Sequence, residues 1–196
     1  MKHNFSILLI LCIGLAFSSC SKDDDDEPKG VQSKINSVIP EESLRIVRGL
    51  GIETYSGATP PDITGTYLMS PNLLFRSNIP NDAPANSPFQ NYTVNFSNFN
   101  ASNFSISFTG TASGERDTSN SAVIAGSGNN FSVYGQSTTV IGANSIVLGV
   151  IYSGTLENGK IKNLRRAIIV LDDSKGAPNL LKKENARVFQ DGDRTS

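Results

Sequence analysis

The sequence is poor in the side chains that most often carry catalysis or bind transition metals. It has no tryptophan, one histidine and two cysteines in 196 residues. The histidine is His3 and one of the cysteines is Cys12, so both lie near the start of the chain. If that segment is removed on export, no imidazole remains for general-base work or metal binding. Serine–histidine–aspartate triads, cysteine–histidine pairs and zinc sites of those ligands are then excluded.

The start of the chain also lacks an apolar run long enough for a transmembrane helix. Lys2 precedes an apolar stretch from Phe5 to Phe17, about 13 residues where a bilayer span needs about 20. A cation, an apolar core and small residues before Cys20 are the three parts of a secretory signal. We therefore expect residues 1–19 to be a signal peptide that is cleaved just before Cys20.

Cys20 is the only cysteine that the mature chain would keep. A single thiol is unusual in an exported protein unless it is modified or pairs with another chain. The segment Phe17-Ser18-Ser19-Cys20 resembles the lipobox of bacterial lipoproteins, in which a diacylglycerol is attached to the cysteine. The resemblance implies that Cys20 is lipidated and that its acyl chains hold the protein to a membrane. The alternative is an ordinary secretory signal that happens to contain a cysteine.

Residues 20–30 form an acidic segment, with five adjacent acids from Asp23 to Glu27 followed by Pro28 and Gly30. Like charges next to proline and glycine repel one another and bury little apolar surface, which predicts an extended tether. An acidic run at this position resembles the export signal that sends lipoproteins of Bacteroides-like bacteria to the cell surface. We therefore predict a lipid-anchored protein of the outer membrane that faces the cell exterior.

Apolar residues are spaced for a helix between residues 31 and 51. Ile35, Val38 and Ile39 share one helical face. Pro40 suits a helix start, and the two glutamates after it suit the first turn, where the helix dipole favours acids. The segment predicts a short amphipathic helix, or two, that packs against a core.

From residue 52 onward the helical spacing gives way to alternation. Every second residue is apolar in residues 91–97 and 104–108, as in antiparallel strands with one buried face. Asn158-Gly159 is a strong signal for a hairpin turn of the primed type. About eight to ten short strands with turns between them predict a mainly β fold. We expect a single antiparallel barrel over residues 52–196, preceded by the short helix.

Four short segments carry a resemblance to a known group of proteins. They are Pro60–Tyr67, Gly126–Phe131, Ser153–Thr155 and Arg187–Asp193. Together they resemble the uncharacterised surface lipoproteins of Bacteroides-type bacteria with a lipocalin-like, or calycin-like, β-barrel. The resemblance implies the fold, and that group brings no established activity or catalytic residues with it.

The aromatic side chains Tyr92, Phe96, Phe104 and Phe108 fall on the apolar faces of the two clearest predicted strands. They are candidates for the lining of a ligand pocket inside the barrel. The other interpretation is a packed core, since small barrels are often filled by their own side chains. With a lipid anchor, the pattern favours a cell-surface binding protein that holds a small apolar or amphipathic ligand or a glycan fragment.

A rival interpretation is a structural or protein-interaction module with a filled barrel. Loops such as residues 71–88 would then bind partner proteins that the sequence does not identify. The carboxylate pairs Asp172-Asp173 and Asp191-Gly-Asp193 leave acid–base chemistry open in principle, but their positions suit solvated turns. We predict no enzyme activity, no cofactor and no metal site.

One basic cluster is open to two interpretations. Arg165-Arg166, near Lys160 and Lys162, could contact an anionic glycan or a phosphate. Adjacent residues of a strand face opposite sides of the sheet, so one arginine must point outward while the other can pair with acids. Nucleic-acid binding is not expected, because loss of Lys2 leaves 16 cations (17 minus one) against 18 acids.

Overall fold

The computed structural model describes residues 29–196 and is mainly β, with 56% strand and 11% helix. This confirms the predicted fold class, with two N-terminal helices, α1 (Lys29–Val38) and α2 (Glu41–Gly49). The strands are β1 (Ala58–Thr59), β2 (Gly65–Met69), β3 (Asn72–Ser77), β4 (Pro88–Phe89), β5 (Tyr92–Asn100), β6 (Ser105–Ala112), β7 (Glu115–Ser127), β8 (Asn130–Ile141), β9 (Asn144–Glu157), β10 (Lys160–Lys175) and β11 (Ala186–Asp191). The predicted signal peptide, Cys20 and most of the predicted tether lie outside the described residues.

The start of α2 follows from its sequence. Pro40 stands directly before the helix with φ −56°, and it has no backbone N–H that would need a partner there. Glu41 and Glu42 occupy the first turn, where the positive end of the helix dipole stabilises acids. Gly51, with φ 88°, follows the last turn, in a conformation that glycine adopts without strain. No helix among the described residues has the length and apolar character needed to cross a bilayer.

Ten strands form one antiparallel sheet in the order β2-β5-β6-β7-β8-β9-β10-β11-β3-β4, and β1 adds to β7 in parallel. The sheet curls into a half-barrel. The curl follows from the chain, because Met69 ends β2 at one margin and Asn72 begins β3 near the other. Three residues span at most about 10 Å. The Ser70 N–H donates to the Asp191 carboxylate on β11 at 3.0 Å, which ties the end of β2 to the far side of the sheet.

The curled sheet has an apolar core on each face. The inner core takes side chains from all the longer strands, which can meet only inside the curl. Its largest fully buried members are Tyr92, Phe96, Phe108, Phe131 and Tyr152. The outer core packs Ile35, Ile39, Leu44 and Val47 of the helices against Tyr134, Ile151, Ile169 and Val188 of the sheet. The helical segment therefore covers part of the outer face.

A β-bulge on β7 changes which residues face inward. Ile106 pairs with Ala122, whereas Phe108, two residues further along β6, pairs with Ser119, three residues back along β7. The extra residue on β7 reverses the alternation. Ala122 faces the inner core on one side of the bulge, and Asp117 faces it on the other.

The predicted loop at residues 71–88 is wrong for residues 72–77, which form β3. This strand is flanked by Pro71 and Pro80, and proline is tolerated at strand boundaries although it cannot donate to a ladder. It is held by pairing with β11 and, over two residues, with β4. The predicted turn at Asn158-Gly159 is confirmed, with φ values of 52° and 76° that suit a primed hairpin turn.

Candidate ligand-binding site

The structure brings together three of the four predicted pocket aromatics. Tyr92, Phe96 and Phe108 belong to the inner core and are at most 1% exposed. Phe104 does not join them. It precedes β6, has φ 57° and packs against the outer core, with the Lys34 ammonium 5.7 Å from its ring centre. The strand alternation predicted to begin at Phe104 therefore begins one residue later.

The inner aromatics interlock closely. The ring centre of Tyr152 lies 5.3 Å from that of Phe96 and 5.1 Å from that of Phe108, both in edge-on contact. A Cβ atom added at Gly110 would lie 1.7 Å from the Tyr92 hydroxyl oxygen. The tyrosine thus packs directly on the strand backbone, and only glycine leaves room for it. These rings are therefore packed against side chains and backbone of the inner core.

Five inward side chains form what we call the interior ion cluster: Arg166, Asp117, Glu115, Tyr92 and Tyr152. Arg166 is 1% exposed and pairs with Asp117, 0% exposed, at 2.5 Å, and with Glu115, whose side chain is 42% exposed. The Tyr92 hydroxyl lies 2.9 Å from Asp117 and 2.7 Å from the Tyr152 hydroxyl. The Arg166 guanidinium also stacks 3.9 Å from the centre of the Tyr92 ring.

The protonation of the interior ion cluster follows from its burial. Burial raises the pKa of both Tyr92 and Tyr152, so both phenols stay protonated and Tyr92 donates to Asp117. Burial alone would lower the pKa of Arg166, but the facing acids, Asp117 and Glu115, help to raise it. Arg166 Nε and Asp117 Oδ1 are buried with no hydrogen-bond partner. The cluster therefore ties together β5, β7, β9 and β10 as a charged part of the core.

A second feature is a cavity of about 250 Å³ on the outer side of the sheet, beside the end of α2. We call it the polar cavity. Most of its lining is polar, and its main side chains are Glu53, Tyr55, Asn163, Arg165, Gln190 and Arg194.

The floor of the polar cavity is a row of outward residues on adjacent strands. Arg165 pairs with Ser153 of β9 on one side and with Gln190 of β11 on the other. Ser132 of β8 continues the row beyond Ser153. Because these serines are small, the segment after α2 can lie on the sheet. The Tyr55 N–H donates to the Ser132 hydroxyl at 2.8 Å, which fixes one wall.

The opposite wall depends on two residues with positive φ. Asn163 has φ 52° and lies at a bulge of β10, and Arg194 has φ 62° just beyond β11. The Asn163 N–H donates to the carbonyl of Arg194 at 3.1 Å. Thr195 then bridges to Lys162. The chain after β11 is thereby folded back along β10, which brings Arg194 to the cavity.

Comparison with protein-family models, with curated proteins and with solved structures finds no match to this chain. What the polar cavity binds must therefore follow from its own side chains. It offers guanidinium and amide donors together with carboxylate, amide and phenol acceptors, because the Tyr55 hydroxyl itself donates to Glu53. Among residues 29–196, no group of three or more His, Cys, Asp or Glu side chains is placed to hold a metal ion.

The predicted carboxylate pairs lie in different surroundings. Asp191 is buried at the edge of the polar cavity, where its carboxylate accepts from the Ser70 N–H and the Ser196 hydroxyl. Burial raises its pKa, and neighbouring Asp193 adds to the effect. Asp172 is exposed on β10 and accepts from the Ser174 N–H at 2.8 Å. The Asp172 bond closes a local turn, whereas the Asp191 bonds hold Ser70 and Ser196 against β11.

The basic cluster divides as strand alternation predicts. Arg166 points inward to its acids, and Arg165 points outward into the polar cavity. Tyr55 and Arg194 were not among the sequence candidates, because both lie in irregular segments with no periodic signal. The sequence signals for the cavity are the outward arginine and the Asp191-Gly-Asp193 pair, whose Asp191 lies at the cavity edge.

Proposed function

We propose that this protein is a lipid-anchored binding protein of the cell surface that holds a glycan fragment in the polar cavity. The observation that carries the proposal is the polar lining itself, since Tyr55, Gln190 and Asn163 offer donors and acceptors at one concave site. At about 250 Å³, the space would take roughly eight waters of about 30 Å³ each. That suits a single sugar ring, and it lies below the range of about 300–1,000 Å³ typical of drug-sized ligands.

The packing of the interior favours a glycan over an apolar ligand. The rings of the predicted pocket residues Tyr92, Phe96 and Phe108 each pack against the ring of Tyr152. An apolar ligand would have to displace these rings and separate charged groups of the interior ion cluster. The polar cavity needs no such rearrangement.

The rival proposal, a partner-binding module with a filled barrel, shares the packed interior. It differs in the surface that would be used, because it depends on residues 71–88 and not on the polar cavity. The Asp82 carboxylate accepts two hydrogen bonds from Arg187, at 2.7 and 2.8 Å, which holds this segment to β11. If a partner protein binds residues 71–88, that binding should be insensitive to substitutions in the polar cavity.

The binding proposal is tested with Gln190→Ala and with Gln32→Ala as a matched control. Gln32 lies on α1 and is not among the residues that line the cavity. A panel of neutral and acidic sugars is titrated against each protein by ligand-observed NMR and calorimetry. Loss of one ligand hydrogen bond in Gln190→Ala should weaken binding up to about tenfold, and Gln32→Ala should bind like the unchanged protein. Equal binding by all three proteins would contradict the assignment to the cavity.

The anchor is tested with Cys20→Ala, and Cys12→Ala is its control. Cys20→Ala should lack the mass of the acyl chains and should leave the membrane fraction, since the chains supply the membrane affinity. Cys12→Ala, within the predicted signal peptide, should change neither property. Membrane association that persists without Cys20 would refute the lipid anchor.

Replacing Asp23 to Asp26 by alanine should lower protease accessibility in whole cells if the acidic run directs surface exposure.

A further inference from the structure

In the part of the chain that the structure describes, two arginines of the polar cavity form no ion pair. Among residues 29–196, the arginine ion pairs are those of Arg45, Arg48, Arg166 and Arg187. Arg165 and Arg194 are not among them, although both line the cavity. Two guanidinium groups that form no ion pair at one concave site indicate that an anion is supplied by the ligand.

Arg165 is held ready for such a contact. Its guanidinium carbon lies 4.2 Å from the centre of the Phe75 ring, and Nη1 donates to the carbonyl of Gly51. A guanidinium has five N–H donors, so most of them remain for another acceptor. Because stacking and the Gly51 bond restrict the side chain before binding, little further conformational entropy is lost.

The acids around the cavity do not neutralise these arginines directly. The Glu53 carboxylate accepts the Tyr55 hydroxyl at 3.0 Å, and Asp191 accepts from Ser70 and Ser196. Neither acid lies within 4.0 Å of a cavity arginine, the limit for an ion pair. Glu53 would still repel a doubly charged group such as phosphate more strongly than a single carboxylate. Its oxygens suit sugar hydroxyls, which are donors.

We propose that the ligand is an acidic sugar, such as a hexuronate, whose carboxylate binds Arg165 and Arg194. The ring hydroxyls then bind Glu53, Tyr55 and Gln190. A planar guanidinium matches a carboxylate with two parallel hydrogen bonds, and the opposite side of the cavity supplies partners for a polyhydroxylated ring. The inference rests on the proposed glycan-binding function and adds the chemical class of the sugar.

The experiment compares glucuronate, glucose and glucose 6-phosphate as probes in calorimetric titrations of the full protein. Arg194→Gln and Arg165→Gln each remove one guanidinium, and Arg165→Lys keeps the charge without the planar fork. Arg116→Gln is the matched control, because Arg116 is exposed on β7 and lines no part of the cavity.

The unchanged protein and Arg116→Gln should bind glucuronate at least about tenfold more tightly than glucose, the advantage of charge-assisted hydrogen bonds. Arg194→Gln and Arg165→Gln should each bind glucuronate and glucose with nearly equal affinity. Arg165→Lys should keep part of the preference for glucuronate. The preference should also fall between 50 mM and 500 mM salt. These outcomes together support the inference.

Other outcomes would overturn it, each in a distinguishable way. Equal binding of glucose and glucuronate would refute the acidic-sugar inference and leave the glycan-binding function standing. Tighter binding of glucose 6-phosphate than of glucuronate would refute the proposal that the ligand's anionic group is a carboxylate, and it would favour a phosphate. If Arg194→Gln and Arg165→Gln both still prefer glucuronate to glucose, the carboxylate does not bind at these arginines and the assigned site is refuted. Binding of none of the three probes would count against the inference and the proposed function alike.

Discussion

The interior ion cluster should make Arg166 far more important for stability than its sequence neighbour Arg165. Arg166→Met keeps a long side chain and removes the charge. It leaves Asp117, which is 0% exposed, without its only cationic partner among residues 29–196. The Tyr92 hydroxyl would remain as a donor to that carboxylate, and one neutral hydrogen bond compensates poorly for a buried charge.

The magnitude follows from the burial of the pair. Removal of one partner of a buried ion pair costs about 3–5 kcal/mol, whereas replacement of both partners by apolar groups is often close to neutral. We therefore expect Arg166→Met to lower the free energy of unfolding by about 3–5 kcal/mol, and Asp117→Leu by a similar amount. The double variant should lose less than either single one, since Glu115 is 42% exposed and can turn to solvent.

The assay is urea denaturation followed by far-ultraviolet circular dichroism, since the protein has no tryptophan to report by fluorescence. Arg165→Met is the matched control and should cost about 1 kcal/mol, because it loses one hydrogen bond and a stacking contact at a half-buried site. If a single variant fails to fold, the double variant still decides the question. A double variant as unstable as the sum of the two single changes would refute the reasoning.

Two further predictions concern the ion pair between Asp82 and Arg187 and the glycine that packs against Tyr92, Gly110. Arg187 lowers the pKa of Asp82 from 3.8 to about 2, so the pair stabilises the fold above pH 4 and ceases to do so as the pH falls towards 2. Because the pair is partly exposed, its contribution to the free energy of unfolding is limited to about 1 kcal/mol. The contribution is measured at pH 6 as the difference in stability between the unchanged protein and Asp82→Asn. That difference should vanish near pH 2, and a difference that stays constant with pH would contradict the prediction. Gly110→Ala should cost about 1–3 kcal/mol in urea denaturation because its Cβ displaces Tyr92. Gly49→Ala on α2, where a Cβ meets open space, should cost less than about 0.5 kcal/mol, and equal losses would contradict the packing argument.

The strands that the sequence predicts well are those whose alternation is unbroken. Tyr92, Val94 and Phe96 point to one face of β5 as their spacing predicts. β3 was missed because proline and asparagine surround its short apolar run, and because its partner β11 lies more than a hundred residues later. Pairing over such a distance leaves no local signal.

The interior ion cluster and the polar cavity were harder to predict for a different reason. Counting every second residue back from Ala122 puts Thr118 inside and Asp117 outside, and only the bulge on β7 reverses this. Arg166 was recognisable as one of two alternating arginines, but its acids were not. At the cavity, Arg194 arrives by a turn that depends on a positive φ, which residue periodicity does not encode.

The position of the helices has a mechanical consequence. α1 and α2 pack on the outer face through side chains and add no strand to the sheet. The first backbone attachments after them are the Gly51 carbonyl, which accepts from Arg165, the Tyr55 N–H bond to Ser132 and the short ladder of β1 on β7. A pull applied at Lys29 would therefore peel the helices away and load the Tyr55 wall before it reached the long strands. Along the chain, the cavity wall at Tyr55 therefore lies between the proposed anchor and the long strands. Tension on the tether would open the cavity while the half-barrel remained folded.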